Sequence, residues 1–250
     1  MRGCPMSYMD HITRCNTCAI RHKAVCNALG PEEIAAINRI AHRRTIAAGQ
    51  TFLGEGETTS FFANIVSGVV KLTKSLEDGR QHIIGLLFPS DFVGRAFRTD
   101  NPFFAEAATD VELCVFPSRN FERLLAQYPG LEHRLFELTL SELDACREWM
   151  LLLARKSAAE KVASFLLMIA RRVPSIGCSH SEDHDQIRFL LPLSRADMAD
   201  CLGLTIETVS RQITKLRTRG IIELVSNREI VVLDMHRLDE AAMAGHAIES

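Results

Sequence analysis

No run of about 18 apolar residues occurs in the 250-residue chain, so no membrane-spanning helix is expected. The N-terminus lacks the charged-then-apolar layout of a secretory leader. A cytosolic location is therefore expected. Without export, eight cysteines read as thiols or metal ligands rather than as a disulfide framework. An excess of basic charge is also missing. A net charge of −2 excludes a chain coated all over for nucleic acid, so any such binding must come from a local basic surface. No repeat of solenoid length is evident. What is present is a 47% hydrophobic fraction, ample for real cores, and length for two domains of ordinary size.

The most informative segment is Ser194-Arg-Ala-Asp-Met-Ala-Asp-Cys-Leu-Gly-Leu-Thr-Ile-Glu-Thr-Val-Ser-Arg-Gln-Ile-Thr-Lys-Leu-Arg-Thr-Arg-Gly220. Counted from Arg195, Ala199 is fifth, Gly203 ninth and Val209 fifteenth. A helix-turn-helix needs a small residue at the first place, where the second helix crosses close above. It needs positive φ in the turn, which suits Gly, and an apolar residue packing back at the third. A helix over about 206–219 then offers Glu207, Thr208, Ser210 and Arg211 near its N-terminus, where a recognition helix enters the major groove. Arg can pair with a guanine edge, and a carboxylate can accept from cytosine N4. Lys215, Arg217 and Arg219 follow, suited to phosphate. The bland alternative is a structural helical hairpin, but the full spacing with Glu-x-x-Ser-Arg favours DNA binding.

Upstream, Pro31-Glu-Glu-Ile opens a short helix. From about Arg44 to Phe116 the signals are strands: Ile46, Phe52, Phe61–Val66, Val69–Thr73, His82–Leu87 and Val111–Phe116. Gly-rich turns separate them, which suggests a sandwich or barrel. Helical signals return at Ser118, and after Pro129 a segment with few breakers runs to about Val173. In it, Phe136, Leu140, Leu143 and Met150 lie near one stripe, and Leu131, Leu135, Leu138, Ala145, Trp149 and Leu152 form another. A helix apolar on two sides must bury both, one against its own barrel and the other against a second subunit. The alternative is that both faces are core of one chain. Pro174–Gln186 reads as a polar loop. Strands at Ile187–Leu191, Ile222–Val225 and Ile230–Leu233 make the C-terminal module a winged helix.

Half of the cysteines lie in residues 1–30, at Cys4, Cys15, Cys18 and Cys26. Cys15, Cys18 and Cys26 follow the spacing C-x2-C-x7-C. A C-x2-C pair lets two sulfurs bind one metal centre without strain, and soft thiolates select zinc or an iron–sulfur cluster. Arg14, Arg21, His22 and Lys23 would favour the thiolate forms. Cys114 is the candidate fourth ligand, and Cys4 is less attractive. Structural zinc, a thiol–disulfide switch and incidental cysteines stay open on these residues alone. Cys201 and Cys146 read as buried small apolar residues. Cys178 with His180 and His184 reads as a solvated loop.

With these motifs in hand, the chain resembles the CRP/FNR family of transcription regulators, specifically its FNR-type, FnrL-like oxygen sensors. The resemblance covers nearly the whole chain. It rests on Arg14-Cys-Asn-Thr-Cys-Ala-Ile-Arg-His-Lys-Ala-Val-Cys26, Leu87-Phe-Pro-Ser-Asp-Phe-Val-Gly94, Glu142-Leu-Asp-Ala-Cys-Arg-Glu-Trp-Met-Leu-Leu-Leu153 and Leu204-Thr-Ile-Glu-Thr-Val-Ser-Arg-Gln212. It implies an α+β chain with an N-terminal double-stranded β-helix sensor domain of the cyclic-nucleotide-binding type, a long dimerisation helix and a C-terminal winged helix-turn-helix. The expected boundaries are 1–30 for the cysteine-rich segment, 31–128 for the sensor, 129–155 for the helix and 156–250 for the DNA-binding domain. The resemblance also implies a 4Fe-4S cluster on Cys15, Cys18, Cys26 and Cys114, labile to oxygen, whose assembly promotes dimerisation and DNA binding. Phe136, Leu140, Leu143 and Met150 would form the dimer contact. Glu207, Ser210 and Arg211 fall on base-reading positions for a palindrome of TTGAT and ATCAA half-sites, with RNA polymerase as a further partner. Genes of anaerobic or microaerobic metabolism would be under its control.

Two departures matter. Cyclic-nucleotide members carry a Gly-Glu and an Arg-Ser pair where this chain has Gly94-Arg95 and, at about the second place, Asn101-Pro102, so cyclic-AMP binding should be lost. One FNR pattern has an Asp, which helps keep the cluster-free form monomeric, where this chain has Cys146. The balance between monomer and dimer is expected to differ accordingly. An enzyme of the β-helix oxygenase kind needs clustered His and carboxylate ligands, and the barrel segment has only His82 with no His-x-His pair. A ferredoxin-like carrier would leave the helix-turn-helix without purpose. A cluster-free regulator of the FixK kind is the serious runner-up. Cluster ligation is expected to pin the N-terminal segment to the barrel and adjust packing on the long helix around Leu143–Met150, and cluster loss to free the segment and weaken the dimer.

Overall fold

The computed structural model describes residues 15, 17–58, 60–77, 79, 81–98, 100–172 and 186–243. A 3₁₀ turn at Val25–Ala28 leads into helix α1, Pro31–Ile40. Pro31 occupies its first turn, and Glu32 and Glu33 sit at its positive end. The Glu33 carboxylate accepts the Gly30 N–H at 2.7 Å.

Eight strands follow: β1 His42–Ile46, β2 Thr51–Leu53, β3 Phe61–Ser67, β4 Val70–Ser75, β5 Gln81–Leu87, β6 Phe92–Val93, β7 Phe104–Ala107 and β8 Val111–Pro117. They build two four-stranded sheets in the orders β1-β8-β3-β6 and β2-β7-β4-β5. Two of these strands were not expected. β6 has only two residues, and β7 reads Phe-Ala-Glu-Ala, whose alanines carry little strand signal. Those alanines, Ala105 and Ala107, are fully buried, where small side chains fit the narrow space between sheets.

Alternation along the strands makes two cores. Val111, Leu113 and Val115 of β8 and Ala63 and Ile65 of β3 point between the sheets. Phe116 and Phe62, one residue out of step, face the other way and join Val25, Ile37, Phe121, Leu125 and Leu131 in a second core. Cys114 packs against that second core. Helix α2, Ser118–Gln127, closes this side, with Phe121 stacked on Phe116 at 5.2 Å.

Helix α3 runs over Pro129–Arg155, a length of about 40 Å. Leu131 is fully buried, and Leu135 and Leu138 are half-buried against the second core. Phe136, Leu140, Leu143 and Met150 are 58%, 45%, 45% and 61% exposed. Two expectations fail here. Ala145, assigned to the inward stripe, is exposed, and so is Cys146, expected to be buried. The described chain covers this helix at its two ends, by Leu131 and Leu152, and leaves the middle uncovered. The chain forms two compact units that part within α3, after Leu143.

Helix α4, Ala158–Arg172, is separate from α3. The break has a signal that breaker counting overlooks: Ser157-Ala-Ala-Glu160 is a capping box. Glu160 accepts the Ser157 N–H at 2.7 Å, and the Ser157 hydroxyl accepts the Glu160 N–H at 3.4 Å. The second unit continues with β9 (Ile187–Leu190), α5 (Arg195–Leu202), α6 (Ile206–Thr218), β10 (Ile222–Leu224), β11 (Glu229–Val232) and α7 (Met235–Met243). The three strands pair in the order β10-β11-β9. The unexpected α7 packs along α4 through buried Leu238, Ala241 and Ala242. Among the described residues, no helix is long and apolar enough to cross a membrane. Cys4, Arg14, Cys178, His180 and His184 lie outside the described residues.

Candidate functional site

Helices α5 and α6 form a helix-turn-helix whose ends are fixed by their own side chains. Ser194 caps α5: its hydroxyl accepts the Asp197 N–H at 3.1 Å, and the Asp197 carboxylate accepts the Ser194 N–H at 3.1 Å. Ala199 is 4% exposed under the crossing helix, and Val209 is fully buried. Gly203 takes φ +62° in the turn, a left-handed conformation that a Cβ would oppose. The Thr205 hydroxyl caps α6 by accepting the Thr208 N–H at 3.2 Å. Packing of Val209, Ile213 and Leu216 then leaves Glu207, Ser210, Arg211 and Lys215 exposed, with Thr208 half-buried.

Hydrogen bonds from its own backbone N–H and from Thr205 hold the Glu207 carboxyl below the usual range, so it is an acceptor at neutral pH. At the far end of α6, Arg237 Nη2 donates to the Arg219 carbonyl at 2.9 Å, meeting one of the carbonyls a helix end leaves open. Arg217 and Arg219 are exposed there beside Lys215. The result is a solvent-facing row of donors, one acceptor and cations on a chain with net negative charge.

The cysteines converge in the first unit. Across the first sheet, Cys114 on β8 is in register with Arg43 on β1 and with Asn64 on β3. Cys15, Cys18 and Cys26 line the same cavity as Cys114, together with Arg21, Asn38, Arg43 and Asn64. The six described cysteines are thiols. Cys15 Sγ donates to Asn38 Oδ1 at 3.3 Å, Arg43 Nη2 lies 3.8 Å from Cys18 Sγ, and Asn64 Nδ2 lies 3.7 Å from Cys26 Sγ. Of the basic residues expected to serve the thiolates, Arg21 lines the cavity, while His22 and Lys23 are exposed. Arg43, which no motif marked, also lines the cavity and contacts Cys18. Its signal was positional, one strand away from Cys114.

Burial, then the neighbouring Cys114, Cys15 and Cys18, pushes the Cys26 thiol far up. Burial pushes Cys114 up to about 12, against the pull of Arg43. Both are neutral thiols at ordinary pH unless a cationic group among them draws off the protons. Among the described residues, no three His, Cys, Asp or Glu stand close enough for a single metal ion. Zinc requires every sulfur at about 2.3 Å. Among the described residues the cavity is lined by four thiols and by no carboxylate, a soft donor set that could hold a thiolate-ligated group.

Of the other predicted positions, Cys201 is 1% exposed in the core of α5. Gly94 has φ +119°, and a Cβ there would fall 2.5 Å from the Phe62 ring. The helix reaches the cysteine site earlier than expected. Leu131, Leu135 and Leu138 pack in the same core as Cys15, Cys26 and Cys114, and Arg134 Nη2 donates to the Lys23 carbonyl at 2.9 Å. The expected region, Leu143–Met150, lies about one to three turns beyond Leu138 along the helix.

Residues 43–128 match the cyclic nucleotide-binding domain, and residues 160–241 match the Crp-like helix-turn-helix domain. The chain is 46% identical to the transcriptional activator protein FnrL of Cereibacter sphaeroides, over 92% of each chain. It belongs to the CRP/FNR family of transcription regulators. It is 39% identical to the nitrogen fixation regulation protein FixK of Bradyrhizobium diazoefficiens, over 92% of this chain and 94% of that one. The structure of FixK2 from Bradyrhizobium japonicum superposes with a TM-score of 0.72 at 32% identity, covering 81% of this chain and 97% of that one. A CRP/FNR protein with this recognition helix is a DNA-binding regulator and not an enzyme.

Proposed function

We propose that this regulator responds to oxygen through a 4Fe-4S cluster held by Cys15, Cys18, Cys26 and Cys114, and binds an FNR-type palindrome as a homodimer while the cluster is intact. The observation that carries the reading is the convergence of four thiols, from the N-terminal segment and from β8, on one cavity. When bound, such a cluster supplies a thiolate-held iron–sulfide core that oxygen oxidises. Cys15, Cys18 and Cys26 tie their segment to the sheet through Cys114. That segment in turn bears on the first turns of α3, through the shared packing of Leu131, Leu135 and Leu138 and the Arg134–Lys23 hydrogen bond. The opposite stripe, Phe136, Leu140, Leu143 and Met150, is the dimer contact, with Phe136, Leu143 and Met150 seven residues apart. Two copies of α6 then read two half-sites: Glu207, Ser210 and Arg211 on base edges, Thr208 beside them, and Lys215 on phosphate.

RNA polymerase is the further partner at promoters, genes of anaerobic or microaerobic metabolism are the targets, and cyclic nucleotide has no role. A second reading, a cluster-free regulator, draws on the similarity to FixK. A zinc or thiol switch of the same fold would use the same sulfurs. Anaerobic purification separates the cluster and the zinc from the metal-free readings, and loss of DNA binding on oxidation of a metal-free preparation would mark the thiol switch. Equal iron and sulfide with visible absorption that bleaches in air supports the cluster. Tightly held zinc without iron or sulfide removes it, and a metal-free preparation with full DNA binding favours the FixK-like reading.

A further inference from the structure

Asn64 is 1% exposed, stands opposite Cys114 across β3 and β8, and lines the cavity with the four thiols. Its Nδ2 donates to Cys26 Sγ at 3.7 Å. Its Oδ1 is buried with no hydrogen-bond partner. A buried amide with an unmet acceptor opposes folding, and an apolar side chain of similar size would not carry that cost. Beside it on β3, Phe62, Ala63 and Ile65 are buried and apolar. Fold stability therefore gives no reason for an amide at this position, whereas the donor has a target in a sulfur. Arg43, on the other side of Cys114 in the same row, reaches Cys18 in the same way.

We infer that Asn64 is a positioning residue for Cys26, holding that sulfur on the cavity and donating an N–H to it in its ligating, thiolate form. The inference rests on the proposed cluster reading. An N–H aimed at a ligand sulfur stabilises its negative charge, which raises the reduction potential and resists oxidative loss. Partners of metal ligands also govern how firmly the metal is retained.

The test compares full-length wild-type protein with Asn64→Leu, which keeps similar volume and removes the donor, and with Asn64→Asp, which sets an acceptor against the sulfur. Cluster-free Asn64→Leu is expected to unfold at or above the wild-type temperature, because the unmet acceptor is gone. Anaerobically loaded Asn64→Leu should nevertheless show a lower midpoint potential and roughly 10–100-fold weaker iron retention against a chelator. Asn64→Asp should lie further in the same direction. Wild-type potential and retention in Asn64→Leu would overturn the inference. So would a cluster-free Asn64→Leu that melts below wild type, because the role would then be structural. Wild-type protein that binds neither iron nor sulfide removes the cluster reading and this inference with it, a result visible before any variant is made.

Discussion

Arg43 and Cys114 are direct partners across β1 and β8, and the Arg43 guanidinium reaches past that pairing to Cys18 at 3.8 Å and to Glu112 at 3.4 Å. One cation thus links the cysteine segment to the sheet before any metal is considered. The exposed Arg43–Glu112 pair contributes little by itself. Its consequence is positional: the guanidinium is anchored from the sheet side and presents a donor toward the sulfurs.

Replacing Cys15, Cys18, Cys26 or Cys114 with Ser, one at a time, is expected to abolish the anaerobic visible absorption and the bound iron. Hydroxyls do not replace soft thiolates as ligands. Cys178→Ser should leave both unchanged. A Cys114→Ser protein that still carries iron and sulfide in wild-type amounts would show that the fourth ligand lies elsewhere.

At the recognition helix, Arg211→Ala should cost roughly 1–3 kcal/mol at the specific site and relax discrimination at the guanine it is proposed to read. Lys215→Ala should weaken binding to every sequence alike and flatten the salt dependence, because a phosphate contact releases a counterion. Both side chains are exposed on α6, so neither change should disturb the fold. Titration of specific and random duplexes over a range of salt tells them apart. Equal losses on both duplexes for Arg211→Ala would rule out its base contact.

The helix-turn-helix was legible in sequence because each of its demands falls on one residue with one physical reason: Ala199 small, Gly203 left-handed, Val209 buried. The long strands and the thiol spacing were legible for the same reason. Short β6 and alanine-rich β7 left no periodic signal strong enough to read, while α7 carries its helical spacing on only three buried residues, Leu238, Ala241 and Ala242. Cys146 was misjudged because burial of a mid-helix thiol depends on what covers it, which composition does not specify. Asn64 and Arg43 escaped notice because their meaning lies in strand register with Cys114, a relation between segments far apart in the chain. The contact of α3 with the cysteine segment at Leu131, Leu135 and Leu138, rather than around Leu143–Met150, is hidden for the same reason: the packing of Leu131 beneath that segment is a tertiary fact.

Cys201 gives a pH-dependent prediction. Burial, with Asp200 and Asp197 adding to it, raises this thiol from an ordinary 9.0 to about 12. Above pH 9 the unfolded chain releases that proton while the folded chain keeps it. The stabilising contribution is therefore complete below about pH 9 and is lost as pH rises toward about 12, at about 1.4 kcal/mol per pH unit for this one group. Thermal unfolding of cluster-free protein should fall more steeply with alkaline pH in wild type than in Cys201→Ala. Parallel curves for the two proteins would show that the buried thiol does not govern this region.

Under the proposed function, a signal at the cysteines would reach Glu207 through an element with two arrangements, and α3 is an element whose N-terminal end packs against the cysteine segment. Release of that segment would remove the Arg134–Lys23 hydrogen bond and loosen the packing of Leu131, Leu135 and Leu138. The exposed stripe of Phe136, Leu140, Leu143 and Met150 would then meet its partner less well. A monomer engages one half-site and loses the avidity of paired modules, a factor on the order of 10²–10⁴. Leu143→Glu puts a charge in the middle of that stripe, where dimerisation would bury it without a partner. Leu143 is 45% exposed and lies beyond the turns that pack on the cysteine core, so the variant should fold and keep its cluster. Anaerobic sedimentation should find it monomeric, with wild-type iron content and with operator affinity lowered by that same factor. Wild-type protein sedimented before and after exposure to air tests the switch itself, with a shift from dimer toward monomer expected. A dimer of equal strength in both states, with DNA affinity still dependent on oxygen, would refute dissociation and leave reorientation of α3 within a standing dimer as the mechanism.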